Sequence, residues 1–302
     1  MNQKSLRFRV ADALLITLIV LPLLCGIALK VLLFPPANGI EISGAKIFFT
    51  VSAPFQDLPI TESQVNSWLV ILSVLGVCLY LTHGITAKGG SRRQHLAEWL
   101  VEKSESLVKE NMGDYFHAFA PFIAAIMALS AFSSLLTLIG LYPPTSDMNV
   151  VAGWALLVFF LITYYKFKCG PIRYLRSFTE PVAFLTPINL ISEIATPISM
   201  AFRHYGNVLS GSVISVLVAS ALQGLSASLL GWLPGVLGDI PFLQIGIPAV
   251  LSIYFDVFSG CLQAFIFAML TMLYISGGFP ADDYAVRQAK KKEKGKLKSK
   301  SI

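Results

Sequence analysis

The stretch "ISMAFRHYGNVLSGSVISVLVAS" runs from Ile198 to Ser220, and almost everything in it is apolar or small except Arg203. Crossing the hydrocarbon of a bilayer takes about 20 predominantly apolar residues as a helix, so the stretch reads as a membrane span. An arginine within such a span costs about 2.5–3.5 kcal/mol on insertion scales. It therefore needs a partner, a water path or both.

Outward from this segment, the 302-residue chain is 55% hydrophobic and 13% charged, whereas soluble domains are about a quarter charged. Runs long enough to span lie near 11–33, 67–87, 118–141, 148–168, 188–222 and 245–276. The pattern predicts an all-α integral membrane protein with about six membrane helices. The fifth and sixth are long enough to form a tilted hairpin.

The net charge of +6 does not indicate nucleic acid, because the basic residues sort by side of the membrane. Of the 23 lysines and arginines, 20 precede the first span or follow the second, fourth and sixth, leaving Lys30, Lys46 and Arg203. This predicts cytoplasmic termini and outward loops at 35–66, 142–147 and 223–244. The tail at 281–302, which includes "KKKEKGKLKSK", reads as a solvated basic segment. The first span has a basic start and an apolar middle, but no small-residue cleavage site follows it, so a retained helix is expected. Cys25, Cys78, Cys169 and Cys261 show no metal-ligand spacing and read as packing residues. No metal, cofactor or nucleotide motif is present, which argues against chemistry carried out by this chain alone.

Between the second and third spans, "SRRQHLAEWLVEKSESLVKENMGDYFHAF" (Ser91–Phe119) alternates charges with Leu96, Trp99, Leu100, Leu107, Val108, Met112, Tyr115 and Phe116 at helical spacing. An amphipathic helix on the cytoplasmic surface of the bilayer follows. "GLYPPTSDMN" (Gly140–Asn149) is an outward turn, with Ser146 or Asp147 able to cap the next helix.

Polar residues inside the spans are the candidates for function. The fifth contains Glu193, Ser199, Arg203, Asn207 and Ser210; the sixth contains Asp256 and Gln263, with Gln244 near its start. At 100° per residue, Ser199, Asn207 and Ser210 lie within about 40° of Arg203, while Glu193 stands about 15 Å along the axis, too far to pair with it. Asp256 and Gln263 fall within about 20° of each other in an ideal helix and make a second stripe. Two facing stripes suit a narrow aqueous ion route; the alternative is helix-to-helix glue, with Arg203 paired to Asp256 or a carbonyl.

The combination "PINLISE…TPISMAFRHYGNVLSG" (187–211) with "CLQAFIFAMLTMLYIS" (261–276) resembles subunit a of F-type ATP synthases. The likeness extends to "PITESQVNSWLVIL" (59–72), "YPPTSDMN" (142–149) and "YYKFKCG" (164–170), and so covers residues 57–280; residues 1–56 are an addition to the pattern. The resemblance implies a non-catalytic stator subunit that translocates protons or sodium ions in a bacterial plasma membrane. Its implied partners are a ring of c subunits, the b-subunit stalk, the remaining synthase subunits and the lipid bilayer. It makes Arg203 the essential stator charge, Asn207 and Gln263 its polar neighbours and Glu193 a channel-lining carboxylate. The resemblance departs at Ser212 and Asp256, where several bacterial members of the family carry glutamate and histidine, which implies that the ionisable group here stands on the sixth span. His204, in place of an aliphatic residue, reads as packing or lipid-facing. A secondary transporter that binds an anionic substrate through Arg203 is the competing reading of the same residues.

Overall fold

A computed structural model of the chain describes residues 3–33, 44–52, 54, 56–87, 90–179, 183–230, 246–279 and 284. The basic tail beyond Tyr284 and most of the expected outward loop at 223–244 lie outside them. The helices are α1 (Gln3–Leu33), α2 (Glu62–Thr82), α3 (Arg92–Met112), α4 (Ala120–Leu135), α5 (Met148–Cys169), α6 (Pro171–Ser177), α7 (Thr186–Leu230), α8 (Ile247–Ser252) and α9 (Gly260–Gly277). Among the described residues, six helical stretches are long and apolar enough to cross a membrane: Phe8–Leu33, Glu62–Thr82, Asp114–Ile139, Met148–Lys168, Thr186–Leu229 and Ile247–Gly277. The architecture is that of an all-α membrane protein.

The elements differ from the sequence reading in several places, beginning with α1, which starts at Gln3 and not at 11. α2 starts at Glu62 and ends at Thr82, five residues earlier at each end than the hydropathy window, because a window of apolar residues ignores the polar first turn. α7 continues to Leu230 through small polar residues that a helix tolerates. The outward segment before α2 also folds: β1 (Ile47–Val51) pairs antiparallel with β2 (Leu58–Thr61) in a hairpin that leads directly into α2.

Local chemistry sets the helix ends. Ser91 caps α3 by accepting from the Gln94 N–H at 3.1 Å, and Asp147 caps α5 by accepting from the Asn149 N–H at 3.0 Å. Gly140 closes the third span with φ +75°, a left-handed value that favours glycine. The outward turn is then tied to α2: Asn66 Nδ2 donates to the Tyr142 carbonyl at 2.8 Å, and Ser63 donates to the Asp147 carboxylate.

The main core joins the end of α3 with α4, α5, α7 and α9 through Val108, Met112, Phe116, Ile123, Val158, Met200, Phe267 and Met272. Of the apolar positions expected on the amphipathic helix, Val108, Met112 and Phe116 are buried in this core, while Leu96, Trp99 and Leu100 remain exposed. α3 therefore enters the bundle at one end and presents apolar surface at the other.

Candidate functional site

The rotation of α7 follows from its burial pattern. Pro197, Met200, Ala201, His204 and Gly211 are buried, whereas Ile198, Ser199, Phe202, Arg203, Ser210 and Ser212 are exposed. At 100° per residue the buried set clusters on one side, and Arg203 stands about 100° from its centre. Arg203 makes no hydrogen bond or ion pair with any described residue. The alternative pairing with Asp256 or a carbonyl is thus not adopted.

The polar stripe divides by direction. Ser199 and Ser210 share the exposed side with Arg203, and Ser210 returns its hydroxyl to the Asn207 carbonyl at 3.1 Å. Asn207 turns instead toward the sixth span: its Nδ2 donates to Ser259 Oγ at 2.8 Å, and that hydroxyl is 3.0 Å from Asn207 Oδ1. This contact locks α7 to the segment between α8 and α9.

That segment, Ile253–Ser259, is a π-helical turn. Such turns take i→i+5 hydrogen bonds and widen the helix. The expected stripe from Asp256 to Gln263 assumed an unbroken 3.6-residue period, and the wider turn resets the angle between them. Asp256 is half-buried and accepts a hydrogen bond from Ser252, the last residue of α8. Gln263 is buried on the face that α9 packs into the bundle.

Glu193 is bound near the start of α7. Lys166 Nζ from α5 donates to both of its carboxylate oxygens, at 2.6 and 2.7 Å, and Tyr174 from α6 donates its hydroxyl at 3.3 Å. The Lys166 ammonium also lies 5.7 Å from the Tyr174 ring centroid. Burial, reinforced by the Glu193 charge and this hydrogen bond, pushes the Tyr174 phenol up to about 12. Glu193 thus has a fixed cationic partner, whereas Arg203 has none among the described residues.

His204 is fully buried and not lipid-facing. Its Nε2 is 3.2 Å from Ser130 Oγ on α4, and its ring meets Phe267 and Trp154 edge-on with centroids 5.5 and 6.1 Å away. Among the described residues no group of three or more His, Cys, Asp or Glu could hold a metal ion.

Sequence reasoning missed Lys166, Tyr174, Ser252, Ser259 and Ser130. Lys166 had counted only as a cytoplasmic charge, and its partner lies 27 residues away. The three serines carry no sequence signal, since a membrane helix accepts serine almost anywhere.

A family model described as ATP synthase A chain matches residues 64–276. ATP synthase subunit a of Legionella pneumophila strain Corby is 30% identical over 228 residues, covering 75% of this chain and 90% of that protein. The subunit a of Desulforamulus reducens is 31% identical over 71% of this chain and 78% of its own length. A subunit a described as sodium ion specific, from Propionigenium modestum, is 25% identical over 80% of this chain and 88% of its own. With the match running from the first turn of α2 to the end of α9, the chain belongs to the ATP synthase A chain family.

Proposed function

We propose that this chain is the ion-conducting stator subunit of a rotary ATP synthase, with Arg203 as the fixed charge beside a ring of c subunits. The single observation that carries this reading is an arginine on a membrane helix that is exposed and has no partner among the described residues. A guanidinium does not deprotonate at physiological pH, so it remains a cation whatever the local conditions. Placed against a passing rotor carboxylate, it lowers that group's pKa and favours release of the bound ion. It also repels a cation that would leak straight across.

Two offset half-channels meet at this arginine. One opens outward past Asp256 and the other opens to the cytoplasm on the Glu193 side, with Asn207, Gln263, Ser199 and Ser210 as polar lining. A proton or sodium ion enters one, neutralises a rotor carboxylate, travels round with the ring and leaves by the other. The membrane potential contributes about 2.3 kcal/mol per charge per 100 mV. Rotation carries this work to catalytic subunits elsewhere, so the chain itself performs no bond chemistry. The protein is a multi-pass subunit of a bacterial plasma membrane with both termini in the cytoplasm, held by the b-subunit stalk.

Arg203→Ala tests the reading in the whole complex. Ion-coupled ATP synthesis is expected to fall to background while the subunit still inserts and assembles with the c ring. Normal coupled synthesis in that variant would overturn the assignment.

A further inference from the structure

His204 is a buried polar residue whose presence neither packing nor the ion route explains. Its ring is fully buried, its Nε2 meets Ser130 Oγ at 3.2 Å, and its Nδ1 is buried without a hydrogen-bond partner. Either tautomer leaves one ring nitrogen unsatisfied, a cost an aliphatic side chain of similar size would avoid. The ring also sits where four helices converge: α7 carries it, α4 supplies Ser130, and α5 and α9 supply the edge-on rings of Trp154 and Phe267.

We propose that His204 is a positioning residue: its bond to Ser130 fixes the rotation of α7 and so sets the direction in which the neighbouring Arg203 is presented. Successive residues on a helix point 100° apart, so a key on one side of the helix determines where the adjacent side chain faces. Met200 and Ala201 are buried beside it, but the hydrophobic term is non-directional, so their burial holds α7 against its neighbours without defining its rotation as sharply as a hydrogen bond does. The His204–Ser130 bond and the ring edges define one angle. A turn further along, Asn207 and Ser259 make the second directional contact of this part of α7. The inference rests on Arg203 being the working charge, although the rotation of α7 can be measured without it.

The Asn207–Ser259 contact provides the readout. In a cysteine-free background, obtained by replacing Cys25, Cys78, Cys169 and Cys261, the pair Asn207→Cys and Ser259→Cys is introduced and its disulfide formation followed in membranes containing the whole complex. His204→Leu should slow oxidation about tenfold, in line with the loss of one buried hydrogen bond. His204→Gln, which can still reach Ser130, should remain near the parent rate. Ser130→Ala should slow oxidation as His204→Leu does, and the two together should add nothing further, the mark of a shared interaction. With the native residues at 207 and 259, coupled ATP synthesis should follow the same order: low in His204→Leu and Ser130→Ala, restored in His204→Gln.

Equal disulfide rates across the four variants would overturn the proposal and leave His204 as packing. Slowed oxidation with undiminished synthesis would also overturn it, because rotation would then not matter to Arg203. Coupled synthesis surviving Arg203→Ala would instead remove the stator-charge reading, while the disulfide order would still report on α7.

Discussion

Two charges on one helix stand in opposite circumstances. Glu193 is gripped by Lys166 and Tyr174, while Arg203, about 15 Å further along by the helical rise, has no described partner. Glu193 is consequently a joint between α5, α6 and α7 as well as a candidate on the cytoplasmic route. Tyr174 reports on that joint. Its pKa is raised from 10.0 to about 12, chiefly by burial and then by the Glu193 charge. A raised phenol pKa favours the neutral form in the folded state, so its contribution to stability is complete below about pH 10 and is lost as pH rises through about 12. Difference titration of the parent against Tyr174→Phe should therefore show one phenol ionising near 12. Glu193→Gln should lower that value only part of the way, since burial remains. A Tyr174 that ionises at the ordinary value would refute the packing described for α6.

At the level of elements, α7 and the α8–α9 segment play different parts. α7 holds Arg203, without a partner among the described residues, on its exposed side and three close-packed residues, Met200, Ala201 and His204, on its buried side. The π-helical turn at Ile253–Ser259 carries both Asp256 and the Ser259 that Asn207 engages. Without that turn the 3.6-residue period would place Asp256 and Gln263 on one face. With it, Gln263 enters the core while Asp256 remains half-buried. Asp256→Asn keeps the size and a hydrogen-bonding group but removes the ionisable site. Coupled ion transport should slow, and its pH profile should shift, in proteoliposomes of the complete complex. An unchanged rate and profile would take Asp256 off the route. The residue types of this site were legible in the sequence as two polar stripes, and the pairings among them were not. A π turn has no reliable sequence signature, and the Lys166–Glu193 contact joins residues on different helices.

Across the whole molecule, the first helix α1 is fastened to α2, α3 and the outward turn along its full length. Arg93 Nη1 donates to Asp12 at 2.8 Å, Ser73 donates to the Ile19 carbonyl at 3.0 Å, and Lys30 Nζ reaches the Gly140 carbonyl at 2.6 Å. Lipid tails are as apolar as leucine, so helices in a bilayer gain little from burying apolar surface and rely on close packing and polar links. Gly76 shows the packing term: a Cβ there would lie 2.9 Å from Ile19 Cγ1 and 3.2 Å from the Ile19 backbone nitrogen. Gly76→Val should force α1 and α2 apart and cost about 1–3 kcal/mol, seen as a lower Tm of the detergent-purified complex. A Tm equal to that of the parent would mean that α1 is not packed on α2 as described.

Hydropathy and charge order alone determined that the chain is an all-α membrane protein of about six helices, because the cost of exposing polar backbone to hydrocarbon leaves few other solutions. Helical periodicity also determined that Glu193 and Arg203 cannot pair, since a rise of 1.5 Å per residue follows from helix geometry. Only the tertiary structure decided who the partners are. Lys166 goes to Glu193, Ser130 to His204 and Ser259 to Asn207, and Arg203 is left to none of the described residues. Each of those choices depends on how far one helix is rotated against the next. That angle is set where helices meet, by the fit of side chains and by directional polar contacts between them, and a sequence read one helix at a time does not contain it.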